Sequence, residues 1–196
     1  PYHVLQSTHE QYLRQATLAA ANDRISNAIA ELPIFPCYSF DLGTLYGAVD
    51  GQKFGVERPT VKARHSRKYF GRGKGVVAYT LLCNHVPLNG WIIGAHDFEA
   101  HHVFDVWYRN TSDIVPEAIT GDMHSVNKAN FAILHWFGRR FEPRFTDLEH
   151  QLGELHCADD PALYEKFLVR PVGQVDLQII ADEKQNLDRI VATLGL

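Results

Sequence analysis

Near the start of the chain, apolar residues recur at helical spacing: Leu13, Ala20, Ile25, Ala28, Ile29 and Leu32. The pattern predicts one long helix over residues 8–32. Ser7 and Glu10 are placed as a capping box, and Pro33 is the stop. Pro33 and Pro36 then make a short rigid connection. The period changes at residues 44–49, a short apolar run that ends at Asp50-Gly51, which reads as a turn. Residues 76–83 are rich in strand formers, and residues 91–94 form another short apolar run. Asn89-Gly90 predicts the reversal between those two strands.

Residues 99–110 read as a helix with Val103, Val106 and Trp107 on one side. Residues 117–120 read as a strand that ends at Gly121-Asp122. Residues 127–137 read as a helix with Phe131 and Leu134 available for packing, and Gly138 is its natural stop. Residues 141–145 are a final strand candidate, in which Pro143 points to an edge or irregular position. The tail turns helical: Asp160-Pro161 can start a short helix, and Leu187, Ile190, Val191 and Leu194 form an i, i+3, i+4, i+7 stripe. Early strands linked by hairpins, followed by alternating helices and strands, predict an α/β fold with a mixed sheet covered by helices.

Composition adds a core-forming chain of 196 residues with 45% hydrophobic and 21% charged residues. No apolar run is long enough to span a membrane, and the N-terminus lacks a signal-peptide layout. The expected location is cytoplasmic, with no membrane partner. Three widely separated cysteines, Cys37, Cys83 and Cys157, are expected to be reduced packing residues. The only methionine is Met123 and the chain begins at Pro1, which reads as a piece of something longer.

Charge changes the picture. The net charge is −4, but Lys53, Arg58, Lys62, Arg64, Arg67, Lys68, Arg72 and Lys74 lie within 22 residues and only Glu57 opposes them. That stretch carries +7 and the remainder −11. Such a cluster is either a solvated loop or a phosphate-facing surface, because each Lys or Arg that meets a phosphate releases counterions.

Asp50 and Asp122 share a context: each follows an apolar strand candidate and is next to a glycine. Neighbouring strands would bring the two carboxylates together. Two close carboxylates repel unless a cation or proton is shared, and oxygen ligands suit Mg²⁺ or Mn²⁺. An aspartate after a strand is also an ordinary turn former or helix cap, so the pattern alone leaves both readings open.

Several ordered blocks carry a resemblance. Residues 48–54, Ala-Val-Asp-Gly-Gln-Lys-Phe, resemble the S-D-G-Q-R/K-F segment of the Tn-three family of bacterial replicative transposases. Residues 69–80 resemble the block that follows it. Asn110-Thr111-Ser112-Asp113-Ile114 matches the family's N-x-(T/S)-D-(L/I) segment. Residues 137–148 resemble its G-x-x-F-x-P-R-(I/F)-x-D-L block. Gly121-Asp122-Met123-His124-Ser125 sits where the family usually has T-D-T-x-G. The chain departs from the commoner pattern at Ala48, Gly121, Met123 and Ser125, and both aspartates survive.

The resemblance implies a ribonuclease-H-like fold: a mixed five-stranded sheet flanked by helices, with an N-terminal helix and a helical C-terminal extension. It implies segments 1–36 (helical lead-in), 37–150 (catalytic core) and 151–196 (start of a helical extension). The implied activity is cleavage of transposon ends and joining of 3′ hydroxyls to target DNA. Asp50 and Asp122 match the first two residues of an Asp-Asp-Glu site that holds Mg²⁺ or Mn²⁺. The matching Glu is expected beyond Leu196, which would leave this piece inactive alone. Glu149 and Glu154 do not match its position and are assigned to a surface helix. DNA contacts are expected from Lys53, Arg64, Arg67, Lys68, Arg72, Lys74, His124 and Arg144, and a homo-oligomer for the full-length protein.

Other chemistry is weaker. His96, His101 and His102 lack zinc spacing, and adjacent helical histidines point about 100° apart. Gly71-Arg72-Gly73-Lys74-Gly75 lacks the P-loop pattern. Two rival functions remain: a metal-dependent nuclease of the same fold, and a non-catalytic DNA-binding or assembly module.

Overall fold

The structure is a computed structural model that describes residues 3–4, 14–39, 43–58 and 60–196. Residues up to Arg144 form one compact unit, and Phe145–Leu196 form a second.

The first unit opens with α1 (Gln15–Ala30). Among the described residues this helix is shorter than the expected 8–32, because Arg14 before it is extended and residues 31–32 form a turn; Ser7 and Glu10 lie outside the described residues. Helix α1 lies along a strand edge. Its Asn22 amide and buried Ser26 hydroxyl donate to the Pro87 carbonyl at 2.9 and 3.0 Å. These two side-chain donors tie the helix to the strand that carries Pro87.

Strand β1 spans Tyr46–Val56. It is followed by β2 (Arg64–His65), a single helical turn α2 (Arg67–Phe70), β3 (Lys74–Cys83) and β4 (Val86–Gly94). Two expectations are corrected. Asp50-Gly51 is not a turn, because β1 runs through it to Val56 while paired antiparallel with β3, from Gly47 opposite Cys83 to Val56 opposite Lys74. Continuous ladder pairing outweighs the local turn preference of Asp-Gly.

The hairpin between β3 and β4 turns at Asn84-His85, both at positive φ (47° and 66°), and not at Asn89-Gly90. A two-residue loop with both residues left-handed matches the twist of its strands. Asn89 and Gly90 lie inside β4, just after a register shift between Leu81 and Leu82, and the Asn89 amide donates to the Val106 carbonyl at 2.8 Å.

The chain continues through a 3₁₀ turn (Glu99–His102), α3 (Val103–Tyr108), β5 (Ala118–Gly121), a second 3₁₀ turn (Met123–Ser125), α4 (Lys128–Trp136) and β6 (Arg140–Phe141). The sheet order is β2-β3-β1-β5-β6, with β4 also on β3. Pairs β1–β5 and β5–β6 are parallel, and the others are antiparallel. The sheet thus has six strands where five were expected, the extra one being the two-residue β2.

The last strand candidate is shorter than residues 141–145. The backbone N–H groups of Arg140, Glu142 and Arg144 nevertheless all donate to β5 carbonyls or their neighbours. In that alternation the missing N–H of Pro143 faces the open edge, where it costs no ladder bond.

Strand β3 shows why the sheet is covered on one face. Val77, Tyr79, Leu81 and Cys83 are at most 1% exposed, while Val76, Ala78, Thr80 and Leu82 between them are half-buried. The buried set joins Val103 and Val106 of α3 and Leu134 of α4 in one core. Each such side chain contributes about 1.5–3 kcal/mol by leaving water. Phe104 and Phe137 bring α3 and the end of α4 together at 4.8 Å between ring centroids. Gly138 follows at φ +70°, a left-handed helix stop.

The second unit contains α5 (Leu148–Leu152), a two-stranded parallel ladder of β7 (His156–Cys157) and β8 (Gly173–Gln174), α6 (Leu177–Asp182) and α7 (Lys184–Leu194). Asp160 caps the 3₁₀ turn Pro161–Tyr164 through the Ala162 N–H at 2.9 Å. Among the described residues, no helix is long and apolar enough to cross a membrane.

Candidate active site

Parallel pairing of β1 with β5 ends at Val49 opposite Gly121. Asp50 follows Val49 within β1, and Asp122 follows Gly121 as the cap of the next turn, so each aspartate comes directly after the last parallel pair. Strand β1 continues without β5 beside it, so the carboxylates stand where the parallel half of the sheet stops.

Asp50 is exposed, and its Oδ1 accepts from the Gly51 N–H at 2.8 Å. Among the described residues, its Oδ2 meets no donor. Asp122 caps the turn Met123–Ser125: Oδ1 accepts from the His124 N–H at 2.9 Å, and Oδ2 lies 2.7 Å from His124 Nδ1. Partial burial pushes the Asp122 pKa up, but the His124 bonds outweigh it and hold the carboxyl below its usual range. Each carboxylate oxygen can accept two bonds, so both aspartates keep free lone pairs. These are hard oxygen donors and fit a magnesium-like cation. Among the described residues, no third His, Cys, Asp or Glu completes a metal cluster.

The turn depends on a close approach. A Cβ on Gly121 would lie 2.5 Å from Ser125 Oγ and 2.9 Å from Val49 Cγ2. Ser125 is fully buried beneath the aspartates, as is Tyr79. Neither hydroxyl has a hydrogen-bond partner of good geometry among the described residues. Burial raises the Tyr79 pKa well above its ordinary value, and the charges of Glu99, Asp122 and Asp50 add to the effect. Asn130 on α4 secures the same turn by donating to the Ser125 carbonyl at 3.3 Å and to the Ala100 carbonyl at 2.8 Å.

Glu99 is the residue the sequence reading missed. It is 8% exposed, and a Cβ on Gly51 would fall 2.7 Å from its Oε1. Lys53 Nζ meets the same oxygen at 2.9 Å and lies 4.6 Å from the centre of the Tyr69 ring. Burial lowers the Lys53 pKa, but the hydrogen bond and charge of Glu99 overcome this and raise it. One signal was present: Glu99, Val103 and Val106 follow i, i+4, i+7, which puts an acid on the apolar stripe.

The expected basic residues divide. His124 touches Asp122, and the Arg144 N–H donates to the Gly121 carbonyl at 2.7 Å, which brings its backbone beside the site. Lys53 is held by Glu99. Lys68 shares the Tyr69 ring with it, its Nζ 5.0 Å from the centroid. A recess of about 270 Å³ is lined by Lys53, Lys68, Tyr69 and His124, among others. Arg64, Arg72 and Lys74 are exposed near the far end of the β1–β3 ribbon, and Arg67 is exposed between Ser66 and Lys68, which both line the recess. Lys74 pairs with Val56, six residues beyond Asp50, or about 20 Å along the strand.

Comparison with known proteins agrees with this architecture. The family model described as the Tn3 transposase DDE domain matches residues 1–196. The transposase for transposon Tn4556 of Streptomyces fradiae is 29% identical over 98% of this chain and 21% of its own length. The transposase for transposon gamma-delta of Escherichia coli (strain K12) is 24% identical over 74% of this chain and 14% of its own length. The chain therefore spans about a fifth or less of these relatives. No solved structure matches it. A family match over the whole chain, on a fold that sets two aspartates at the end of paired parallel strands, places this chain in the Tn3 transposase DDE domain family.

Proposed function

We propose that this chain is part of the catalytic core of an enzyme that cuts transposon ends and joins the released 3′ hydroxyls to target DNA. The observation that supports the reading is the register of β1 and β5, whose last pair, Val49 and Gly121, directly precedes Asp50 and Asp122. The two carboxylates would hold Mg²⁺ or Mn²⁺. Bound divalent ions supply activation of an attacking oxygen and stabilisation of a leaving oxygen in phosphoryl transfer. We take the third ligand to come from outside these 196 residues.

The chain's own groups position the pair. His124 keeps Asp122 ionised and oriented. The Gly51 N–H fixes one oxygen of Asp50 and leaves the other free. The exposed cations near the ribbon end lie too far along the strand to meet the reacting phosphate, and they suit flanking phosphates. With about 3.4 Å per base step, 20 Å is about six steps. Such contacts position DNA without reading its sequence.

The test is cleavage and joining of end-containing DNA by the full-length form of the chain. Asp50→Asn and Asp122→Asn are each expected to lower both reactions by at least about a hundredfold, the scale of losing a key charge-stabilising group. Unchanged thermal stability would mark the loss as chemical. Full activity in either variant would overturn the reading.

A further inference from the structure

Trp91 on β4 carries two cations. The Lys62 Nζ lies 5.9 Å and the Arg109 guanidinium carbon 4.8 Å from the centre of its ring. A ring face attracts a cation through its quadrupole and leaves the charge in place, whereas a carboxylate neutralises it. Among the described residues, neither Lys62 nor Arg109 pairs with an acid. Lys62 is tied further by donating to the Ile92 carbonyl at 2.6 Å. The nearby acids have partners of their own. Asp97 accepts from the Gly94 N–H at 2.8 Å and lies 3.6 Å from His96 Nε2. Asp23, which lines a neighbouring groove with Arg109, accepts from the Thr111 hydroxyl at 2.6 Å. Two like charges gathered at one ring repel each other, and a bound anion relieves that repulsion.

The cluster adjoins the candidate site. Register sets Trp91 opposite Tyr79 and Tyr79 opposite Gly51, so Trp91 stands two strands from Gly51, about 10 Å across the sheet. His96 and Asp97 line both the recess that reaches His124 and a second recess, of about 350 Å³, that reaches Lys62 and Trp91. In the first recess Tyr69 repeats the arrangement, with Lys53 and Lys68 over its ring. Two aromatic rings, each holding two cations, thus follow one another along adjoining recesses, and the first recess ends at the histidine that touches Asp122.

We propose that Lys62 and Arg109, ordered by Trp91, are a further DNA-backbone contact, reached by the strand that leaves the candidate site along these two recesses. The proposal rests on the DNA reading above. A row of separate cation pairs suits a polyanion with regularly spaced charges better than a single small anion. Such contacts fix the path of the strand and carry no sequence information.

The experiment is fluorescence anisotropy of end-containing duplex DNA with the full-length form at several salt concentrations, with thermal melting alongside. Lys62→Met with Arg109→Gln is expected to flatten the slope of log affinity against log salt by up to about 1.8, or about 0.9 for each lost phosphate contact. Removing two charges at Lys166 and Arg170, which are exposed in the second unit, is the control and is expected to leave the slope unchanged. Trp91→Leu keeps both cations and removes the ring. It is expected to weaken DNA binding by about three- to tenfold, while Trp91→Phe stays within about twofold of the parent.

A parent slope in the Lys62/Arg109 double variant overturns the proposal. Equal flattening in the Lys166/Arg170 control does so too, because it reports net charge alone. Parent-like binding by Trp91→Leu overturns the role of the ring, and Trp91→Phe settles the matter if the leucine variant melts early: binding more than tenfold weaker in a folded Trp91→Phe contradicts a ring-held cation pair. The two levels separate cleanly. If the parent binds no DNA, the DNA reading fails and this inference with it. If the parent binds with a steep salt slope that the double variant keeps, only this inference fails.

Discussion

Ser125 lies over the bare Cα of Gly121, so closely that a Cβ at position 121 would stand 2.5 Å from the serine Oγ. This contact gives a physical reason for a departure from the commoner T-D-T-x-G segment. Where that pattern has a threonine before the aspartate and a glycine three residues after it, this chain has Gly121 and Ser125. The larger residue has moved to the other side of one contact, and the turn that carries Asp122 is kept.

The exchange predicts compensation. Gly121→Thr alone is expected to destabilise the protein by about 1–3 kcal/mol, the usual size of overpacking. Gly121→Thr with Ser125→Gly is expected to recover most of that loss. Urea unfolding of the single and double variants measures it, and purely additive effects would count against the contact.

The Lys53–Glu99 pair predicts a stability difference with a defined pH window. The Lys53 pKa is raised above 10.5 in the folded state. Its contribution is therefore complete below that value and is lost as pH rises through the higher folded pKa. The urea midpoint of the parent, compared with Lys53→Met/Glu99→Gln, should show a constant difference from pH 7 to 9. The parent's advantage should shrink above pH 10.5.

The exposed cations near the ribbon end predict a salt signature. Arg64→Ala, Arg72→Ala and Lys74→Ala together are expected to flatten the slope of log affinity against log salt for duplex DNA by up to about 0.9 per lost phosphate contact. Fluorescence anisotropy at several salt concentrations reads the slope. An unchanged slope would show that these residues are a solvated loop.

The cysteines should react in an order set by burial. Cys83 is buried, which pushes its thiol pKa up to about 11, while Cys37 is exposed. At pH 8 the native protein should label quickly at Cys37. Cys83 should label only on unfolding, because the thiolate is the reactive form. Mass spectrometry of the labelled peptides distinguishes them.

Local pattern located most of the elements, because burial on one face imposes a period on the residues that meet the core. Val103, Val106 and Trp107 share one side of α3 and are buried as the spacing predicts. The two aspartates were legible as residues that follow apolar runs, and ordered family blocks singled them out. What the chain's own order could not state was pairing. Asn89-Gly90 carries a strong local turn preference, yet it lies inside β4 because Asn84-His85 takes the reversal and ladder bonds hold the rest. Asp50 looked like a strand end and is mid-strand, since β3 runs beside β1 past the point where β5 stops. Glu99 stood out locally only as an acid on an apolar stripe; its partner could be found only in three dimensions, because Lys53 is 46 residues away and nothing local says that Gly51 will leave room for the carboxylate. The sequence by itself determined which residues could be buried and which could carry charge or bind metal. The tertiary structure decided which of them meet, because register, close approach and ion pairing depend on strands and turns far apart along the chain.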